Sequence, residues 1–388
     1  MKNTQMAFFI IIFLSIFCLS NVYLYFKVYN AFDVFHEHRL IYTITFVALA
    51  SLFLISKFLE VKFSSVVTDT LNVVGGFWLP FMLYGILLFL LSDLAFLVLK
   101  IADSINVESI VIYRKWSAIA VIAISFLLIV GGFLNAVIPV VKEYNITIKK
   151  SAGETKTLKI AAASDIHLGS SIRKRSLKKL SSILREEKPD LILLLGDILD
   201  GEIGPVLRDD LLQYFTPPES RLGLYAVAGN HEYIGGGAQT IPYIESKGIR
   251  ILKDEIVMLD GDIQLIGRID KDAGRFYGKP RLSLDKLAEQ TDKTKPIILI
   301  DHQPFNLDET TKNGIDLQLS GHTHHGQMWP LNYITKKIYE VSRGYLKKES
   351  SHIIVSSGYG LWGPKVRIGS RSEVLIINVS FESSGDNN

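Results

Sequence analysis

Asp165, His167, Asp197, Asn230, His231, His302, His322 and His324 are the side chains of this 388-residue chain whose types and spacing could do chemistry together. They fall in five short motifs: Asp165-Ile166-His167, Gly196-Asp197, Gly229-Asn230-His231-Glu232, Asp301-His302, and Gly321-His322-Thr323-His324-His325-Gly326. Setting His231 aside, seven donors remain, all carboxylate, amide oxygen or imidazole, with no thiolate. Such a set suits manganese, iron or zinc and disfavours a soft metal. Seven ligands are too many for one tetrahedral centre, but they fit two divalent ions about 3.5–4 Å apart that share a bridging aspartate, as in hydrolytic dimetal sites. Taken alone, residues 321–326 read equally well as a polar surface turn, and Asp165 as a helix N-cap. The recurrence of five motifs in order is what favours ligation. Six of the nine histidines lie in these motifs, which weakens a reading of scattered core histidines.

The elements that must position these groups are short apolar runs alternating with amphipathic stretches, the pattern of an α/β domain. Buried strands are expected at 159–164, 190–195, 224–228, 297–300 and 317–320, with shorter ones around Ile251, Ile256 and Ile263. Each motif then sits at the C-terminal end of a strand, where α/β sheets usually bind ligands. Residues 173–187 carry Leu177, Leu180, Ile183 and Leu184 at helical spacing. Arg173, Lys174, Arg175, Lys178 and Lys179 crowd the first half of this helix and oppose its dipole, so an anionic lipid or substrate, or simply solvent, has to compensate them. Gly235 to Gly237 lacks the Lys-Ser/Thr of a phosphate-cradling loop and reads as a turn opening a helix that stops at Gly248.

In this order, D-x-H, G-D, G-N-H-E, H and G-H-x-H resemble the calcineurin-like metallophosphoesterase superfamily over about residues 158–380. The resemblance implies a two-sheet sandwich flanked by helices. It implies one metal held by Asp165, His167 and His324, a second by Asn230, His302 and His322, Asp197 as bridge, and His231 as catalytic histidine. His231 follows a ligand asparagine, so it can face a phosphoryl oxygen and protonate or stabilise the leaving group. The implied reaction is hydrolysis of a phosphodiester or pyrophosphate bond by water that the two ions activate. His325 has no fixed place in the pattern and is expected in the surroundings of the site or in solvent, while Gln327 could orient a ligand. Residues 321–327, 357–360 and 367–373 further resemble a membrane-associated bacterial branch that includes hydrolases of UDP-diacylglucosamine.

With 48% hydrophobic and 21% charged residues, the chain is too apolar for an ordinary soluble enzyme. Four runs, 6–26, 40–59, 77–99 and 117–140, are each about as long as a bilayer-crossing helix requires. The expected organisation is an all-α four-helix transmembrane region at 1–145, a linker at 146–157, the phosphoesterase domain at 158–380 and a polar tail at 381–388. Flanking lysines and arginines divide evenly enough to leave open which face of the cell membrane carries the domain. Asp93, inside the third run, is expected to meet a neighbouring helix. The loop His36-Glu37-His38-Arg39 reads as an interfacial cap rather than a metal site. One cysteine, Cys18, excludes an internal disulfide, and a net charge of +3 gives no footprint for nucleic acid. Basic and aromatic residues interleave over 331–350, which suits a membrane interface or a polar headgroup. The expected partners are therefore the lipid bilayer and a phosphate-containing substrate, lipid-linked or otherwise membrane-associated. Soluble nucleotides, or a receptor with a merely structural metal centre, are the alternatives.

Overall fold

A computed structural model describes residues 2–104, 106–276, 278 and 280–382; of the expected tail, 383–388 lies outside them. The chain divides into two compact units, Met1–Gly132 and Phe133–Asn388.

Among the described residues, four helical stretches are long and apolar enough to cross a membrane: Ile11–Tyr29, Arg39–Glu60, Val66–Ile101 and Val107–Val137. The third is interrupted at Phe77, between helices Val66–Gly76 and Trp78–Ile101. Asp93 has a partner that the sequence reading did not assign to it. Lys27, in the last turn of the first helix, pairs with Asp93, which also accepts a 2.8 Å hydrogen bond from the Tyr23 hydroxyl. The carboxylate thus fastens one helix to another, as expected for an ionisable group in an apolar bundle. His36 packs on the Tyr29 ring at 4.5 Å and belongs to no potential metal-binding group among the described residues.

The second unit carries twelve strands among its described residues: β1 Val140–Ile148, β2 Thr157–Ala163, β3 Leu191–Leu194, β4 Leu224–Ala226, β5 Arg250–Ile251, β6 Glu255–Leu259, β7 Ile263–Gly267, β8 Ile297–Ile300, β9 Leu317–Ser320, β10 Gly344–Lys348, β11 Ser351–Val355 and β12 Glu373–Phe381. They form two six-stranded sheets, ordered β1-β12-β2-β3-β4-β5 and β10-β11-β9-β8-β7-β6. In the first, β2 to β5 run parallel and β12 is antiparallel to β2; in the second, β7, β8, β9 and β11 run parallel.

Strand alternation builds the layers, because successive side chains point to opposite faces. Ile160, Ala162, Leu191 and Leu193 face the second sheet and meet Ile298, Ile300, Leu317 and Leu319. Ala161, Ala163, Ile192 and Leu194 face outward, where Leu177, Leu180 and Leu184 of helix Lys174–Glu187 cover them. On the other outer face, Ile297 and Leu299 are covered by Leu284 and Leu287. With both faces of each sheet buried, the parallel strands read as unbroken apolar runs.

The ends of this unit depart from the sequence reading. Residues 146–148, assigned there to a linker, close β1, whose register along β12 runs from Val140↔Glu373 to Ile148↔Phe381. Residues 138–140, read as the end of the fourth span, lie beyond its helix. The residues of β1 are polar enough to resemble a tether because the strand is at the sheet edge, where only alternate side chains are covered.

Candidate metal centre

The five motifs converge from both sheets at the C-terminal ends of β2, β3, β4, β8 and β9. The β2–β3 ladder continues past the strands, with Asp165 N donating to Gly196 O and His167 N to Asp197 O, both at 3.0 Å. Across the gap between the sheets, His322 N donates to both Asp165 carboxylate oxygens at 3.0 Å, while the β8–β9 ladder of the second sheet is prolonged by Gly321 N donating to His302 O at 2.9 Å.

Five of the seven expected ligands hold left-handed backbone: Asp165 (φ 53°), His167 (50°), Asp197 (50°), His322 (71°) and His324 (45°). Each costs of order 1 kcal/mol for a residue with a Cβ, and such strain persists only where the surroundings enforce it. The turn swings each side chain off the strand direction and into the site. Gly196 makes room for one of them. Its φ is +92°, and a Cβ there would stand 2.5 Å from His302 Nδ1.

Two groups made wholly of expected ligands result, Asp165 with His167 and His324, and Asp197 with His302 and His322, and a third joins His167 to Asp200 and His231. Asp165 and His302 are fully buried, and His167 and Asp197 nearly so. His167 Nε2 and His324 Nε2 face one another at 3.0 Å. Asp197 Oδ2 lies 3.1 Å from His302 Nε2 and 3.8 Å from His167 Nε2, between the two groups.

The buried atoms test whether metals fit. His302 Nε2 and Asn230 Oδ1 are buried and make no aligned hydrogen bond. Orphaned buried polar atoms are costly and rare in a folded protein, and donors converging on a common point rather than on each other are what a cation site requires. His302 Nδ1 lies 2.7 Å from Leu195 O. A carbonyl only accepts, so Nδ1 carries a proton and Nε2 is the nitrogen left to face a metal, the orientation usual for a metal-bound histidine. The residues present therefore fit metal ions. Burial drives His322 down to about 3, and burial with the charges of His167 and Arg367 keeps His324 unprotonated as well.

Arg367, fully buried, stands behind His324 with Nη2 3.2 Å from its Nδ1, and donates to the carbonyls of Gly358 and Gly360 at 3.2 and 2.6 Å. The Arg367 carbonyl accepts from Asn135 Nδ2 at 3.3 Å, while Ser372 N donates to Asn135 O at 3.2 Å and Ser372 Oγ to Ala136 O at 2.8 Å. The final turn of the fourth apolar helix is thus one residue removed from a candidate ligand.

His231 begins a short helix after β4, and its N–H donates to Asp197 Oδ1 at 2.9 Å. Its Nδ1 lies 3.2 Å from Asp200 Oδ1. Burial alone would lower the affinity of this imidazole for a proton, but the Asp200 carboxylate beside Nδ1 and the charges of Asp197 and Glu232 outweigh it and raise its pKa to about 9. Asp200 itself stays ionised, because its contacts with His167 and His231 overcome its burial.

Sequence reasoning missed Asp200, although a carboxylate three residues after Asp197 was a visible signal. It also gave Glu232 no task. Glu232 accepts three backbone N–H bonds, from Asp197 at 3.0 Å, Leu199 at 2.8 Å and Gly229 at 2.7 Å, and so locks the β3 and β4 turns together. Gln327 does not orient a ligand. Its amide donates to the carbonyls of Trp362 and Pro364 and accepts from Trp362 N, stapling residues 362–364. His325 is buried against the Ser342 hydroxyl, with 2.8 Å between Nδ1 and Oγ, rather than in solvent. Replacing Asp200 with asparagine removes the charge behind His231 and is expected to lower kcat roughly 10- to 100-fold while leaving metal content unchanged; steady-state kinetics beside elemental analysis of the purified protein would check it, and an unchanged kcat would remove Asp200 from the site.

A two-sheet α/β sandwich with carboxylate–imidazole groups across its strand ends defines a metal-binding domain of hydrolytic type. The family profile for calcineurin-like phosphoesterases matches residues 158–326. An uncharacterized metallophosphoesterase of Aquifex aeolicus is 33% identical over 241 residues, 62% of this chain and 91% of that protein. One from Campylobacter jejuni is 29% identical over 372 residues, covering 94% of this chain and 96% of its own length. A bovine protein named transmembrane protein with metallophosphoesterase domain is 31% identical over 271 residues, 66% of this chain and 61% of its own length. The chain belongs to the calcineurin-like metallophosphoesterase family.

Proposed function

We propose that the chain is a membrane-anchored dimetal phosphoesterase that hydrolyses a phosphodiester or pyrophosphate bond in a lipid-linked or otherwise membrane-associated substrate. The observation that carries this reading is the pair of ligand groups with Asp197 Oδ2 between them, beside the buried Asn230 Oδ1 and His302 Nε2 that make no aligned hydrogen bond. In it, Asp165, His167 and His324 hold one ion, Asn230, His302 and His322 the other, and Asp197 both. Bound there, two divalent cations supply Lewis-acid activation of water and neutralise charge on phosphoryl oxygens. His231, protonated at neutral pH with Nδ1 against Asp200, keeps Nε2 to give its proton to the leaving oxygen. The carboxylate of Asp200 holds the ring in that orientation. Arg367 and the Leu195 carbonyl fix two ligand histidines from behind.

The membrane part of the reading rests on the end of the fourth apolar helix. Asn135 and Ala136 sit where a span leaves the bilayer, and they bond to the segment bearing Arg367, which backs His324. Phosphate groups at a bilayer surface are within reach of such a site, as in a sugar nucleotide carrying acyl chains like UDP-diacylglucosamine.

The test uses the full chain in detergent with a chromogenic phosphodiester, the matching monoester and a phospholipid pyrophosphate in mixed micelles. Expected are turnover lost to a chelator and restored by divalent ions, and a preference for the micellar substrate over soluble nucleotides. Turnover insensitive to chelation would reject the dimetal reading, and equal rates on soluble nucleotides would reject the membrane-substrate reading.

A further inference from the structure

A cavity of about 620 Å³ opens in the second unit beside the last turn of the fourth apolar helix, and none of the metal ligands lines it. One wall is apolar, made by Phe133, Val137, Ile138 and Pro139. Val137 and Ile138 are 44% and 51% exposed. Arg173, Arg175, Lys179 and Lys365 make the rest of the lining cationic, and no carboxylate is among the lining residues.

Arg173 is engaged by Asp209. Arg175, Lys179 and Lys365 make no ion pair or hydrogen bond among the described residues. Lys365 is half-buried, and its pKa is lowered first by burial and then by the charge of Arg173. Cations gathered without a counter-charge, and crowded at the start of helix Lys174–Glu187 where the helix dipole is also positive, leave a deficit of negative charge.

The apolar wall indicates the source of that charge. Residues 133–137 are the last of an apolar span and 138–139 follow it, so they lie by chain continuity at the boundary between hydrocarbon and headgroups. A ligand meeting both parts of the lining has a phosphate at one end and an aliphatic chain at the other. We propose that this cavity binds the headgroup phosphate and upper acyl chain of an anionic glycerophospholipid, with Arg175, Lys179 and Lys365 on the phosphate and Phe133, Val137 and Ile138 on the chain. The proposal rests on the membrane part of the functional reading and is independent of hydrolysis.

The experiment reconstitutes the full chain in phosphatidylcholine vesicles containing a trace of photoactivatable phosphatidylglycerol and maps the adducts by mass spectrometry. Adducts are expected on the peptides covering residues 133–139 and 171–179, displaced by unlabelled phosphatidylglycerol and not by millimolar inorganic phosphate. Each cation near a membrane surface contributes roughly fivefold in binding. Lys365→Gln alone should therefore reduce labelling about fivefold, and the combination of Arg175→Glu, Lys179→Glu and Lys365→Glu by about a hundredfold or more. Hydrolysis of the chromogenic phosphodiester by these variants, at the unsubstituted rate, shows that they are folded; if no form of the protein hydrolyses it, equal thermal unfolding midpoints serve instead. Equal labelling by a phosphatidylcholine probe, labelling unchanged in Lys365→Gln and in the triple variant, or displacement by inorganic phosphate would each overturn the proposal, the last by showing a site for a soluble anion.

Discussion

Asp197→Ala is expected to lower kcat/KM for a chromogenic phosphodiester by about a thousandfold or more and to leave the protein with fewer than two divalent ions per chain. The side chain is placed to serve both groups of ligands, with Oδ2 3.1 Å from His302 Nε2 and 3.8 Å from His167 Nε2. A cation facing the transferring phosphoryl group contributes several kcal/mol of transition-state stabilisation, and ~4 kcal/mol is about a thousandfold in rate. Asp197 Oδ1 also accepts the His231 N–H at 2.9 Å, so alanine loosens that turn too. Asp197→Asn separates the two effects, since an amide oxygen can still accept from His231 while the charge is gone. Elemental analysis with turnover on the same preparations decides the matter. Two ions and full turnover in the alanine variant would refute the bridging role, and full turnover in asparagine alone would reduce Asp197 to a structural acceptor.

His231→Ala is expected to cost about 10²- to 10⁴-fold in kcat for a phosphodiester with an alkyl leaving group, the range of a positioned general acid. For a nitrophenyl leaving group, which departs without a proton, the loss should be far smaller. Metal content should change far less than turnover, because His231 stands outside the group of Asp165, His167 and His324 and the group of Asp197, His302 and His322, and meets His167 only in a third group with Asp200. This dependence on the leaving group distinguishes proton donation from a general loosening of the fold, which would slow both substrates alike. An alkyl diester hydrolysed at the unsubstituted rate would sink the assignment.

The donor set and its order were legible in the sequence because ligand chemistry is local. Asp165-Ile166-His167, Gly229-Asn230-His231-Glu232 and the histidines from 322 to 324 declare carboxylate, amide and imidazole donors wherever they end up. The strands at β8 and β9 were equally legible, since a parallel strand covered on both faces is a continuous apolar run. Strand β1 was not legible, because an edge strand following an apolar span looks like the end of that span plus a tether until β12 is seen beside it. Asp200 needed the structure as well, since its spacing from Asp197 marks it only as a candidate and its contact with His231 joins two different strand ends.

By itself, then, the sequence determined which candidate donor side chains the chain offers, the succession of α/β elements that carries them and the four apolar helices before them. Only the tertiary structure decided that Asp197 stands between two ligand groups, that Asp200 backs His231, and that the chain leaving the last span bonds to the segment behind His324. The physical reason is that these are contacts between residues 30 to 230 positions apart. They depend on pairing two sheets and on left-handed turns at Asp165, His167, Asp197, His322 and His324, which local propensity disfavours and the surrounding packing enforces.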